Sequence, residues 1–329
     1  MSVPNDYKHG KYDKPITYAV KHKDESTRMA SRSGGIFTAL SDKVLKDGGI
    51  VYGCALDESL SAVHIRAVSK EDRDRMRGSK YIQSEMKDMF AAVKRDLEDG
   101  KKVLFSGTSC QVAGLRGFLV KEYDELLCVD IVCHGVPSPM VWKEYLRWLE
   151  GKKHSKVKAV DFRNKKRYGW RAHVETLHLA KGKEIDSRVF TTLFYGHMIL
   201  RPSCYRCPYK DIIHPGDITI ADYWGIDEAV PGFNDNKGVS LVLVNNDRGR
   251  AVLEAVQENL TIVKTRIEDS MQPPLEAPFK SPEKRDQFWS DHSTMKFGKI
   301  AKEYGGYGIM NKIKRKIRHM MGKDKNSSR

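Results

Sequence analysis

The chain has 329 residues, with 58 Lys and Arg against 43 Asp and Glu, a net charge of +15 with histidines neutral. At 40% hydrophobic, 31% charged and 9% aromatic, the composition is that of a soluble globular protein and excludes disordered, fibrous and collagen-like classes. No stretch reaches the roughly 18 to 20 consecutive apolar residues of a membrane helix, and no apolar segment near the start suits a signal peptide, so a cytoplasmic location is expected.

Residues 1–15 are polar, and Ile16 to Val20 is a short candidate strand. Ser33 is placed to cap a helix with Ile36, Leu40 and Val44 on its apolar face, ending at Gly48-Gly49, with a strand from Ile50 to Tyr52. Alternation from Leu60 to Val68 predicts another strand. Ser69 with Asp72 resembles a capping box, and Ser84 is placed to cap a helix presenting Met86, Met89, Phe90, Val93 and Leu97. Two strand, loop and helix units follow. The first runs Val103 to Phe105, Ser106 to Gln111 and a helix from about Val112 to Leu119; the second runs Leu126 to Val132, Cys133 to Val136 and a helix capped by Ser138 with Pro139 at its first position. Such succession predicts parallel strands whose loops leave one sheet edge, which puts Cys110 and Cys133 on adjacent loops. After about residue 155 the pattern turns antiparallel, with strands over 157–162, 172–179 and 188–193, then apolar strands at 218–220 and 240–244 and a helix over 248–258. The expected fold is therefore α/β: a mixed sheet with parallel units flanked by helices, plus a smaller antiparallel lobe. The expected organisation is a polar segment 1–15, an α/β module 16–155, a second module 156–265 and an extension 266–329 with a basic amphipathic tail over 313–321.

The +15 surplus favours an anionic partner, such as nucleic acid, a phosphate-bearing cofactor, an acidic protein or a membrane surface. No zinc-finger, RRM or KH pattern supports nucleic acid, and the basic tail fits either an anionic membrane or packing on the protein's own body.

Six cysteines in a chain this long are too few for a disulfide scaffold. Cys204 and Cys207 form a C-x2-C pair after Arg201-Pro202, where the proline is expected to break a preceding helix; the spacing lets both sulfurs face one metal, and suits a redox pair equally. With Cys110 and Cys133 the pair supplies four thiolates from three loops, fit for zinc or a [4Fe–4S] cluster. Cys128, within an apolar strand, and Cys54, just after one, read as small core residues. His134, beside Cys133, is a candidate for cluster tuning or proton transfer, or a solvent-facing histidine. Three glycine-bearing segments offer backbone N–H groups, hydroxyls and cations to phosphate: Ser31 to Gly35; Arg77 to Ser84, with Ser79, Lys80 and Gln83 inside it and Tyr81 able to stack on a ring; and Ser106 to Ser109. Each also reads as an ordinary turn with a helix cap. Neither a Walker A loop nor a post-strand G-x-G-x-x-G is present.

Taken in order, Ser33-Gly34-Gly35, Arg77 to Ser84, Gly107 to Gln111, Cys133 to Ser138, Arg201 to Cys207 and Gly216 to Gly225 resemble the coenzyme F420 hydrogenase/dehydrogenase beta-subunit family, from about residue 16 to 262. That resemblance implies a flavin and iron–sulfur oxidoreductase moving electrons between a ferredoxin-like partner and a hydride acceptor such as a deazaflavin. It implies cluster ligands at Cys110, Cys133, Cys204 and Cys207, and FAD contacts from Ser33, Gly34, Gly35, Arg77, Ser79, Lys80, Tyr81, Gln83, Ser84, Gly107 and Thr108. His134 is the candidate catalytic group.

Two features depart from the family's pattern. No cysteine-rich ferredoxin motif is present, so electrons are expected from a separate protein or reduced cofactor, and Ser109 stands where a proline usually precedes the first loop cysteine. Members also occur among surface-polysaccharide genes, which leaves the substrate open. Competing readings are a zinc-stabilised scaffold without activity and a flavin-free iron–sulfur protein for electron transfer.

Overall fold

The computed structural model describes residues 10–308 and Asn311, so the tail over 313–321 lies outside the described residues. Strand β1 (Ile16–His22) leads through α1 (Glu25–Ala30) and α2 (Ile36–Lys46) to β2 (Ile50–Leu56), β3 (Ala62–Ala67) and α3 (Lys70–Asp74). Then come α4 (Met89–Glu98), β4 (Val103–Thr108), α5 (Ser109–Leu119), β5 (Leu126–Ile131) and α6 (Pro139–Lys153). The small lobe holds β6 (Val157–Asp161), α7 (Lys165–Tyr168), β7 (Glu175–Leu179), β8 (Glu184–Ser187) and α8 (Val189–Tyr195). A 3-10 turn at Pro202–Arg206 precedes β9 (Ile218–Asp222), α9 (Ile226–Ala229), β10 (Ser240–Val244), α10 (Asp247–Val256) and β11 (Leu260–Thr265). Helices α11 (Pro273–Glu276), α12 (Arg285–Thr294) and α13 (Phe297–Glu303) complete the described order.

The main sheet runs β11-β1-β10-β9-β5-β4-β2-β3, and a separate antiparallel sheet runs β6-β7-β8. Strands β2, β4, β5 and β9 are parallel neighbours; the outer pairs are antiparallel. This is the expected mixed sheet with a smaller antiparallel lobe. Strands β1 and β9 to β11 lie on either side of residue 155 in sequence yet share one sheet. Alternate residues of the central strands feed opposite faces, as the pleat requires. Val51, Leu104, Leu127 and Val129 pack with Ile36, Leu40, Val44 and Leu253. Tyr52, Phe105, Leu126 and Cys128 pack with Val93, Leu97, Val112 and Leu115. The lobe has its own core around Trp142, Tyr145, Phe190 and Phe194.

Several local expectations differ. Ser33 does not cap α2: its hydroxyl donates to Val239 O at 2.6 Å, and Gly35 at φ 94° takes the cap position. Ser84 is likewise spent elsewhere, and α4 begins after Asp88, so Arg77 to Ser84 is a loop and not a helix start. The third lobe strand is Glu184–Ser187, while 188–193 falls largely in helix α8. The cause is long-range: buried Glu175 accepts the amides of Phe190 and Thr191 at 3.3 and 3.2 Å and satisfies donors that α8 would otherwise leave unpaired. Pro202 opens the 3-10 turn, well after α8 ends at Tyr195, and Cys54 lies inside β2. The Ser69 and Ser138 cap positions agree with expectation, and Ser69 Oγ accepts from the Asp72 amide at 3.2 Å.

Candidate functional site: four thiols, an aromatic wall and a cationic cavity

Parallel pairing of β4 with β5 sets Thr108 opposite Ile131, so Cys110 and Cys133 each fall two residues past a matched strand end. The 3-10 turn carrying Cys204 and Cys207 is tied to the Cys133 loop by Arg201 N–H to Val136 O at 3.0 Å and Ser138 N–H to Ile199 O at 2.9 Å. The first turn of α5, where β4 passes into the helix without the expected loop, the Cys133 loop and the 3-10 turn thus bring the four predicted cysteines within electrostatic reach of one another. Cys133 is pushed up to about 12 by burial and by Cys110 and Cys204, and Cys207 is raised by burial and by Cys110 and Cys204. Burial raises Cys204 as well, and the backbone at Gly135, Val136 and Tyr209 opposes the rise at Cys133, Cys204 and Cys207 in turn. Cys110 is exposed, with Thr108 Oγ1 3.1 Å from its sulfur. Among the described residues no three His, Cys, Asp or Glu side chains converge as tightly as the ligands of a single ion. Cys128, buried in β5, and Cys54, whose thiol burial pushes up, lie apart as core residues.

Ser109, in the proline position, is also part of the scaffold. Its hydroxyl lies 3.0 Å from His214 Nδ1, which is 3.1 Å from Asp130 Oδ2, so a buried polar chain anchors the start of α5 next to Cys110.

Behind Cys133 stands an aromatic wall. The His134 ring meets Phe194, Tyr195, His197 and Phe279 at centroid distances of 4.8, 5.1, 4.9 and 4.3 Å. Its Nε2 is 2.9 Å from His197 Nε2, and burial, then His197 and Lys210, pushes it down to about 3. At neutral pH both rings are uncharged, so one nitrogen of the pair donates to the other. Tyr81 continues the wall, 4.9 Å from Phe194 and 5.6 Å from Phe162.

The residues before Tyr81 open onto a cavity of about 740 Å³, lined by Arg32, Arg77, Ser79, Lys80, Arg163 and Lys165 among others. Two sequence-predicted segments therefore meet there, with Arg77, Ser79 and Lys80 on its wall. Arg32 Nε and Arg77 Nε are buried without a protein partner. Burial lowers Lys80 to about 8, and its ammonium donates to Met76 O and Arg77 O. Ser33, Gly34 and Gly35 are not on this wall: Gly34 N–H donates to Ser240 Oγ and Gly34 O accepts from His22, which stitches the segment to the sheet. Gln83 N–H donates to Pro137 O, joining the Arg77 to Ser84 loop to the Cys133 loop. Ser84 meets the Gly107-Thr108 loop through Gln111, whose Nε2 donates to Ser84 Oγ at 2.8 Å and whose Oε1 accepts from the Thr108 amide at 2.9 Å. A hollow of about 600 Å³ between α6 and Lys181 holds none of these residues.

Sequence reasoning missed one part of the site. Arg163 pairs with Asp222 at 2.6 Å, Trp170 Nε1 donates to the same carboxylate at 2.8 Å, and Arg32 donates to the carbonyls of Arg163 and Trp170. His173 packs against Tyr195 and Trp224, pushed down to about 3 by burial and then by Arg163. The signal was the polar Asp222 ending an apolar run, but its partner Arg163 lies 59 residues away in sequence, in the small lobe.

Residues 100–270 match the family model for the C terminus of the coenzyme F420 hydrogenase/dehydrogenase beta subunit. No curated protein matches the sequence. Among solved structures, a chain of the F420-reducing [NiFe] hydrogenase complex from Methanosarcina barkeri is similar, with 18% identity and a TM-score of 0.53 over 95% of this chain and 94% of that one, a likeness of fold. With more than half its length matched, the chain belongs to the coenzyme F420 hydrogenase/dehydrogenase beta-subunit family.

Proposed function

We propose that the protein is an FAD- and [4Fe–4S]-dependent oxidoreductase that passes electrons between a ferredoxin-like donor and a hydride acceptor, either a deazaflavin or another small molecule. The observation that carries this reading is that four cysteines from three places in the chain weigh on one another electrostatically, Cys133 and Cys207 each feeling Cys110 and Cys204. The donor set fits a cluster, since four cysteine sulfurs are the ligands of a [4Fe–4S] centre. Cys110, Cys133, Cys204 and Cys207 are the proposed ligands.

The cationic cavity fits a phosphate-bearing cofactor, since Arg32, Arg77, Lys80, Arg163 and Lys165 all line it. Its volume is within the usual range for small-molecule sites. When bound, the cluster supplies single electrons and the flavin couples them to hydride transfer. Arg77, Ser79 and Lys80, with Arg32 and Arg163, would bind and orient the phosphate-bearing part. Tyr81, Phe194 and Tyr195 form an aromatic stack against His134, beside Cys133. The His134 and His197 pair holds a proton at Nε2, and Thr108 Oγ1 lies against the Cys110 sulfur while donating to Gln111 Oε1.

Anaerobic purification followed by a visible spectrum, iron and sulfide analysis and extraction of flavin tests the reading. Flavin bands over a broad iron–sulfur shoulder, with about four irons per chain, are expected. Colourless protein with stoichiometric zinc would contradict it, and a cluster without flavin would reduce it to an electron-transfer protein.

A further inference from the structure

Lys210 is unusual in its position. Three residues after Cys207, it is only 7% exposed, although a lysine almost never buries its ammonium without a partner. Its Nζ donates to the His134 carbonyl at 2.9 Å and lies 3.9 Å from the Phe279 ring centroid. Burial lowers Lys210, and the ionisable groups that oppose this by favouring its charged form are Cys133, Cys207 and Cys204, in that order. One cation therefore sits behind three of the four thiols, on the side of the aromatic wall, fastened to the backbone of the loop that supplies Cys133 and the Gly135 and Val136 amides.

Resting on the proposed cluster reading, we propose that Lys210 sets the reduction potential of the centre held by these four cysteines, raising it by stabilising the reduced form. Each thiolate brings a negative charge, and reduction adds one electron with no change in the ligands. A fixed positive charge in a poorly solvated site favours the more negative state, and net charge with local hydrogen bonding is what tunes such potentials. Lys210 thus acts through the field it imposes on the centre and is a positioning residue, with no bond to the reacting atoms. Its bond to His134 O also keeps the charge fixed relative to Cys133.

The test compares the full-length wild type with K210Q and K210R, each reconstituted anaerobically with iron and sulfide. Iron and sulfide content is measured first, then the midpoint potential by a redox titration followed by electron paramagnetic resonance of the reduced centre. The expected result is a full cluster in all three, a midpoint shifted to more negative potential in K210Q, and a value near wild type in K210R. An unchanged midpoint in K210Q overturns the role of Lys210 while leaving the cluster reading intact. A shift of equal size in K210R also overturns it, because the charge is then not the cause. Loss of the cluster from both variants, with wild type loaded, assigns Lys210 to assembly and overturns the inference. Wild type that binds no iron removes the cluster reading itself.

Discussion

His64 ties two candidate segments together through one ring. Its Nε2 lies 3.1 Å from Ser106 O, which only accepts, so this nitrogen carries the proton and Nδ1 accepts from Ser84 Oγ at 3.0 Å. Burial pushes His64 down to about 4 and His173 to about 3, against an ordinary 6.5, so both are neutral in the fold. The unfolded chain takes up their protons first as pH falls below 6.5. Stability from these neutral rings is therefore complete above pH 6.5 and is lost progressively down to about 4 for His64 and about 3 for His173. The full loss is on the order of 3 kcal/mol for His64 and 5 kcal/mol for His173. Urea titrations at a series of pH values should show the loss setting in below 6.5, and a flat profile between 6.5 and 4.5 would contradict it. The Arg163 and Asp222 pair makes a second prediction. D222N leaves a buried guanidinium without its counter-charge and should cost about 3 to 5 kcal/mol, measured by chemical denaturation. A loss under about 1 kcal/mol would show that the pair is dispensable.

At the scale of elements, the two parallel strand, loop and helix units were legible because each apolar run, small-residue loop and cap has a local cause. They correctly delivered Cys110 and Cys133 to one sheet edge. What was not legible depends on partners distant in sequence. Val189, Phe190, Thr191 and Thr192 are β-branched or aromatic, as strand residues would be, yet Glu175 from β7 holds the start of helix α8 here. Ser33 and Ser84 look like caps, but each hydroxyl is engaged by a remote group. Gly34 illustrates the same point: read as a phosphate-loop glycine, it is required by packing. A Cβ there would stand 2.1 Å from Val20 O and 2.6 Å from Ser240 N, both backbone, so G34A should lower the thermal midpoint strongly. Gly117 in α5 has open space around its Cβ position, and G117A should stabilise by about 0.5 to 1 kcal/mol. Equal effects of the two substitutions on the thermal midpoint would contradict this reading.

At the scale of the whole molecule, charge is concentrated near the proposed ligand cysteines. The thiols open to solvent at Cys110, and exposed Arg201 precedes the C-x2-C turn while exposed Arg206 lies within it, on a chain with a net charge of +15. An acidic electron donor docking there would be steered by its field. Its rate of reducing the protein should fall several-fold from low to high ionic strength, with R206E slower at low salt; a rate indifferent to salt would contradict that docking mode. The lobe residues Arg163 and Lys165 that help to line the cationic cavity come from the part of the chain least readable in sequence. The central claim is that four particular thiols, and not the other two, hold a metal centre. Iron and sulfide content of anaerobically prepared C110A, C133A, C204A and C207A, beside C54A and C128A, tests it most directly. The account predicts that each of the first four variants loses the intact cluster while the last two retain wild-type iron and sulfide. Full iron in C133A or C207A, or its loss from C54A and C128A alone, would contradict it.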